Sequence, residues 1–205
     1  MKRLRTKVGV AAGLSVVAWA GAMAMASSDG EVETLSGFEE VPALVTLGSG
    51  SFQSSINEEA GEVYYGLTFG NLESPVTQAH IHFAQRAANG PIQVWLCDGD
   101  PAAPPVPPAR PPGSPPFPTC PAFGPDGGTV SGTLTPGDVQ LGNPDRGIEA
   151  GNWDEFKAAV LVGHTYANVH STKFGGGEIR GQISDRDQKE YTGPPPFVEH
   201  DDGDD

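Results

Sequence analysis

Apolar and polar residues alternate with a period of two through most of residues 35–184, and Gly, Pro, Asn and Asp interrupt the alternation at short intervals. Side chains two apart share one face of a strand, so this pattern predicts short strands with one buried side. Leu35–Pro42 opens the ordered part. Ser49–Ile56 alternates about Phe52, Asn57–Gly61 makes a turn, and Glu62–Phe69 resumes with Val63, Tyr65 and Leu67 on one side, which predicts a β-hairpin. Val76–Phe83 is the next strand. After the Ala88-Asn89-Gly90-Pro91 turn, Ile92, Val94 and Leu96 form the buried side of another, ending at Cys97. Gly128–Leu134, Thr165–His170 and Glu178–Ser184 complete the set; the last turns Ile179 and Ile183 inward and follows a glycine-rich turn at 173–177.

One segment has helical spacing instead. Asn152 can cap it, Glu155 three residues on completes a capping box, and Trp153, Phe156 and Val160 fall on one face. Gly163 ends it, and His164 falls in the connection to the next strand. About eight short strands and one helix predict an all-β fold, a mostly antiparallel sandwich or barrel with one short α-helix.

The ends of the chain do not fit the strand pattern. Lys2, Arg3, Arg5 and Lys7 precede an apolar run from Val8 to about Gly21, and Ala24-Met25-Ala26 supplies a small-x-small site. Residues 1–26 therefore read as a signal peptide cleaved after Ala26, with Ala22-Met23-Ala24 as a second possible site. The mature chain is then exported, to the periplasm or beyond, with no later stretch able to span a bilayer. Residues 27–34 read as a flexible lead-in and 185–205 as a disordered acidic tail. Residues 98–119 form a proline-rich insertion of polyproline II character. Its base is flanked by Cys97 and Cys120, for which a disulfide is the default in an oxidising compartment. Of the 12 Lys and Arg in the whole chain, the mature part keeps 8 against 26 Asp and Glu, a balance of 8 − 26 = −18. Such a surface repels nucleic acid and anionic membranes, so neither is expected as a partner.

Within this frame one cluster carries chemistry. His80 and His82 are two apart in a strand, so both rings leave the same face about 6.6 Å apart along it. His170 shares a face with Asn168 in Tyr166-Ala-Asn-Val-His-Ser-Thr172. Three imidazoles on rigid strands suit copper or zinc. Asn168, Glu178 and Arg180 are candidates for orienting those rings from behind. The alternative is a polar cluster in which the histidines bond strand ends and the Arg180 region. Cu/Zn superoxide dismutases also carry His-x-His, but with more histidines and a bridging aspartate, which this chain does not offer. Ser131 and Ser171 sit in no nucleophile elbow, and Glu39 and Glu40 should face opposite ways, so no catalytic residue is assigned and the balance is against an enzyme.

Several blocks together resemble the CHRD domain, the module named after chordin. They are Leu35-Ser-Gly-Phe-Glu-Glu-Val-Pro42, Ala79-His-Ile-His-Phe83, Asn89-Gly-Pro-Ile-Gln-Val-Trp-Leu-Cys97, Val130-Ser-Gly-Thr-Leu134, Tyr166–Thr172 and Gly177-Glu-Ile-Arg-Gly-Gln-Ile183. The resemblance covers about residues 35–184, with the proline-rich insertion outside the family's blocks. It implies an immunoglobulin-like β-sandwich and an exported binding or structural module without an assigned catalytic activity. The partner would be an extracytoplasmic protein, polymer or surface ligand. The competing expectation is a Cu/Zn-binding protein or metal-dependent enzyme built on His80, His82 and His170.

Overall fold

The hairpin expected over residues 49–69 pairs β2 (Ser49–Asn57) with β3 (Glu62–Gly70), in register from Ser49 opposite Gly70 to Asn57 opposite Glu62. The computed structural model describes residues 32–57, 59–99, 117–121, 127–139 and 143–183. The segment expected to be a signal peptide, most of the proline-rich stretch and the acidic C-terminal stretch lie outside those residues. Around the hairpin are β1 (Glu33–Ser36), β4 (Val76–Phe83), β5 (Ile92–Asp98), β6 (Gly128–Leu134), β7 (Thr165–Ser171) and β8 (Ile179–Ile183). The pairings among the described strands are antiparallel, and these strands form one eight-stranded sheet in the order β5-β4-β7-β8-β1-β2-β3-β6.

The two edge strands of that order come together. The Tyr65 hydroxyl on β3 donates to the Leu96 carbonyl on β5 at 2.7 Å, and β5 also packs near β6, so the sheet curls into a nearly closed barrel. The all-β expectation holds. Closure follows from the alternation: Leu35, Phe52, Leu67, Ile81, Val94, Val169, Ile179 and Ile183 come from seven strands, and all lie buried in one core. Burying them supplies about 25 cal/mol for each Å² of apolar surface withdrawn from water.

Helix α1 (Trp153–Leu161) adds Trp153, Phe156, Ala159 and Val160 to the same core. The Asn152 side chain accepts from the Glu155 N–H at 3.3 Å, as the capping motif requires. The reciprocal arm differs from expectation. Glu155 Oε2 accepts from the Glu149 N–H at 2.8 Å, while the Asn152 N–H donates to the Glu149 carbonyl at 3.0 Å. The preceding turn has thus taken the place of the box's second bond. Gly163, at φ 72°, ends the helical segment, and His164 sits exposed in the connection.

Two further details depart from the sequence pattern. β1 begins at Glu33, inside the stretch expected to be flexible, because Glu33 and Thr34 pair with Phe52 and Ser51. Ile92 is only half-buried, since two register shifts between β4 and β5 place it opposite His82 rather than in line with Val94. A bulge changes which face a side chain takes, and simple alternation cannot foresee one.

Cys97 and Cys120 form a disulfide, with Cα atoms 4.9 Å apart. Main-chain bonds from Asp98 N to Pro118 O (2.9 Å) and from Cys120 N to Asp98 O (3.2 Å) close the base of the insertion beside it. Among the described residues no helix is long and apolar enough to cross a membrane. Replacing both cysteines with alanine should lower unfolding stability in urea by about 3 kcal/mol, the entropy of closing a loop of this length. The unreduced wild-type chain should weigh two protons less than the reduced one by intact mass spectrometry; equal masses would contradict the bond.

Candidate metal centre

β4 and β7 lie side by side inside the sheet, with β5 and β8 on their outer flanks. Ala79 and Ile81 of β4 and Ala167 and Val169 of β7 point into the apolar core. The opposite face carries Gln78, His80 and His82 on β4, and Tyr166, Asn168 and His170 on β7. Register places Gln78 opposite His170, His80 opposite Asn168 and His82 opposite Tyr166. Asn168 in turn faces Arg180 on β8, and Tyr166 faces Gln182. Trp95 joins from β5, opposite His80. All nine of these side chains are buried.

The three expected histidines are brought together. One nitrogen from each lies within 4.8 Å of the other two. His80 Nδ1 is 3.1 Å from His170 Nε2, a diagonal contact across the strand pair. His82 Nδ1 lies 3.0 Å from the Gly90 carbonyl, and His170 Nδ1 lies 3.0 Å from the Gly175 carbonyl. A carbonyl only accepts, so both Nδ1 atoms carry the proton and both Nε2 atoms carry a lone pair. His170 Nε2 can then only accept from His80 Nδ1. Among the described residues, His80 Nε2 and His82 Nε2 are buried without a hydrogen-bond partner.

Burial keeps all three rings neutral. It is the first cause in each case, driving His80 well below its usual 6.5, His82 to about 3 and His170 to about 4. Neighbouring imidazoles lower His80 and His82 further, and the Arg180 cation adds to the effect on His82. The rings are therefore in the ligating form at neutral pH.

Of the three residues expected to support the rings, two adjoin the cluster. Asn168 stands across from His80 and donates from Nδ2 to Glu40 Oε1 at 3.0 Å. Arg180 lies over the Tyr166 ring, 3.4 Å from its centroid, and donates from Nη2 to the Ala88 carbonyl at 2.8 Å. Tyr166 stacks on His82 with ring centroids 4.7 Å apart, so Arg180 reaches the cluster through that ring. Glu178 is directed elsewhere: its Oε1 accepts from the Thr46 hydroxyl and the Glu73 N–H, both at 2.7 Å. The turn before β8 sends this side chain towards the β1–β2 and β3–β4 connections.

Sequence reasoning missed Trp95, Tyr166, Gln182 and Glu40. Tyr166 was within reach, since it stands two residues before Asn168 and four before His170 in one strand. Trp95, whose ring centroid is 4.2 Å from that of His80, required the bulges to be known. Glu39 and Glu40 do part company: Glu39 bonds Arg86 at 2.6 Å, while Glu40 turns inward. Burial raises the Glu40 carboxyl to about 7, against the lowering effect of Asn168 and Arg180.

The cover over this face is main chain from the β4–β5 connection, residues 84–91. Ala84 O accepts from Gln182 at 2.9 Å, Ala88 O holds Arg180, and Gly90 meets both His82 and the Tyr166 hydroxyl. Gly90 has to be glycine, because a Cβ there would overlap the Phe83 carbonyl. A Cβ on Gly177 would likewise strike the Asn168–Glu40 pair.

The donor set fits a transition-metal ion. Moving the His80 proton from Nδ1 to Nε2 would leave two lone pairs facing each other at 3.1 Å. Nitrogens tetrahedrally bound at 2.0–2.1 Å are about 3.3–3.4 Å apart, so this pair is already at ligand spacing. The widest separation, 4.8 Å, must close by roughly 1.4 Å to reach that spacing, which rotation of an imidazole can supply. His80, His82 and His170 would hold the ion, and the carbonyls of Gly90 and Gly175 fix two of the rings as such ligands require.

The neutral rings also make the chelator-treated protein sensitive to acid. Below pH 6.5 the unfolded chain binds protons that the folded histidines refuse, so stability falls as pH drops. Glu40 acts oppositely, because its folded value of about 7 lies above 4.5 and the folded state holds an extra proton between them. Three protons against one leave a net slope of about two protons, or roughly 3 kcal/mol per pH unit between pH 6 and pH 5. Urea titrations at those two values measure it, and equal midpoints would show that the rings are not buried neutral.

A family model described as the CHRD domain matches residues 32–183. No curated protein and no solved structure matches the chain. The matched span takes in all eight strands, α1 and the three histidines. It covers well over half of the 205 residues. The chain belongs to the CHRD domain family.

Proposed function

We propose that this CHRD module is exported and that its ligand is a transition-metal ion of the copper or zinc class, bound by His80, His82 and His170. The observation that carries the reading is the convergence of three neutral imidazole nitrogens within 4.8 Å, two of the rings being held through Nδ1 by main-chain carbonyls. A strand pair holds its side chains rigidly, which lowers the cost of ordering the ligands on binding. The role is binding, with no group assigned to bond-making. Export is supported by the basic and apolar leader and by a disulfide, which persists in oxidising compartments.

Protein purified from the envelope and medium of its host should begin at Ser27. A mature chain that retains the first 26 residues would remove the export reading. Metal analysis of the same material, after dialysis against limiting copper and zinc, should give about one ion per chain. His170→Ala and His80→Ala should each lower affinity by about 100-fold or more, the scale on which losing one of three ligands exceeds losing a supporting group. Wild type that binds neither metal below micromolar free concentration would end the metal reading.

A further inference from the structure

We infer that the three-histidine site selects Cu(I) over Zn(II), an inference that rests on the metal reading above and adds the identity and charge of the ion. The first reason is charge. The ligands are three neutral rings, and among the described residues no Cys, Asp or Glu joins them as a further ligand. A cation adjoins the cluster: Arg180, on the far side of the Tyr166 ring that stacks against His82. The opposing carboxyl of Glu40 is engaged by Asn168 rather than by a ring.

Desolvating an ion costs in proportion to the square of its charge, so a dication loses about four times as much hydration here as a monocation of similar size. Three uncharged donors return none of that through charge neutralisation. Arg180 repels a dication about twice as strongly as a monocation at the same distance.

The second reason is coordination. Zn(II) in a protein takes four ligands, and with three from the chain it needs a water or hydroxide in the fourth position. Cu(II) favours a tetragonal nitrogen and oxygen set, which these rings cannot supply. Cu(I), with a filled d shell and weak hydration, accepts three nitrogens alone. The walls suit it: Trp95 packs against His80 with centroids 4.2 Å apart, and Tyr166 stacks on His82 at 4.7 Å. His80, His82 and His170 themselves are 0%, 8% and 5% exposed. Aromatic rings packed against His80 and His82, with all three histidines buried, disfavour an ion that must carry water with it.

The test uses the mature chain with its disulfide intact, under anaerobic conditions, with ascorbate holding copper as Cu(I). Competition with a chromophoric Cu(I) chelator, and separately with a chromophoric Zn(II) chelator, gives the two dissociation constants. The expected result is one Cu(I) per chain with a Kd at least about 1,000-fold below that for Zn(II), in line with a preference set by charge and ligand number. Zn(II) bound as tightly as Cu(I), or more tightly, would overturn the inference while leaving the metal reading standing. Failure to bind either ion would remove the metal reading itself. Since an alanine in this cluster can unfold the protein, the second variant is His82→Met, which replaces one imidazole with a neutral thioether. It should keep Cu(I) within about tenfold and lose Zn(II), because thioethers serve the softer ion; equal loss of both would count against the selection.

Discussion

Two neighbouring strands covered on both faces set the terms for everything else in this molecule. β4 and β7 present one face to the apolar core, and their other face is also shut off from water. A polar group in such a position must find a protein partner or forfeit several kcal/mol of hydration. The polar face is therefore closed by main chain, which supplies acceptors of fixed direction. The 84–91 connection gives carbonyls to Gln182, Arg180 and His82, and the β7–β8 turn gives one to His170. Register makes this possible: slipping β4 by one residue against β7 would turn the histidines into the core and Ile81 out.

Charge on the face is handled by separation. The histidines remain neutral because burial disfavours a charged ring, and for His80 and His82 protonation would also place cations beside one another. The Arg180 cation spreads over the Tyr166 ring and reaches a carbonyl, while the Glu40 carboxyl, bonded by Asn168, interacts with it electrostatically. The two groups that can be charged stand at the β8 side, His80 and His82 two strands away on β4, and His170 on β7 between them. This order follows from the sequence of strands, so topology dictates the electrostatics.

Much of the fold was legible in the chain because period-two alternation marks strands with one apolar face. β4 and β6 fall where Val76–Phe83 and Gly128–Leu134 place them. The helix was legible from Asn152 and from the spacing of Phe156 and Val160. What alternation cannot convey is pairing between distant segments and the irregularities within it. Hence Ile92 takes the unexpected face, and Trp95 goes unrecognised beside His80. The histidines were legible as candidates from His-x-His and from the family blocks. Their meeting depended on β4 lying next to β7, which no local pattern encodes. Glu178 shows the converse: two residues from Arg180 in sequence, it was expected to share its face, but it precedes the first residue of β8 and follows the turn instead.

A polar layer kept only for stability would be expected to close its hydrogen bonds, since an unmatched buried atom costs about 1–3 kcal/mol and apolar replacements of similar shape are often neutral or better. This one does not close. The arrangement spends its carbonyls on the Nδ1 atoms of His82 and His170, and those same bonds oblige the Nε2 atoms to carry lone pairs. One of these lone pairs meets His80, and the other meets no donor among the described residues. The same two bonds that fold the covering loops onto the sheet therefore prepare nitrogen donors within reach of one another. A merely structural cluster would gain from alternating donors and acceptors around the ring of side chains. The metal proposed above would use the lone pair left without a donor, and that proposal ties the architecture of the β4–β5 connection to the chemistry of the cluster.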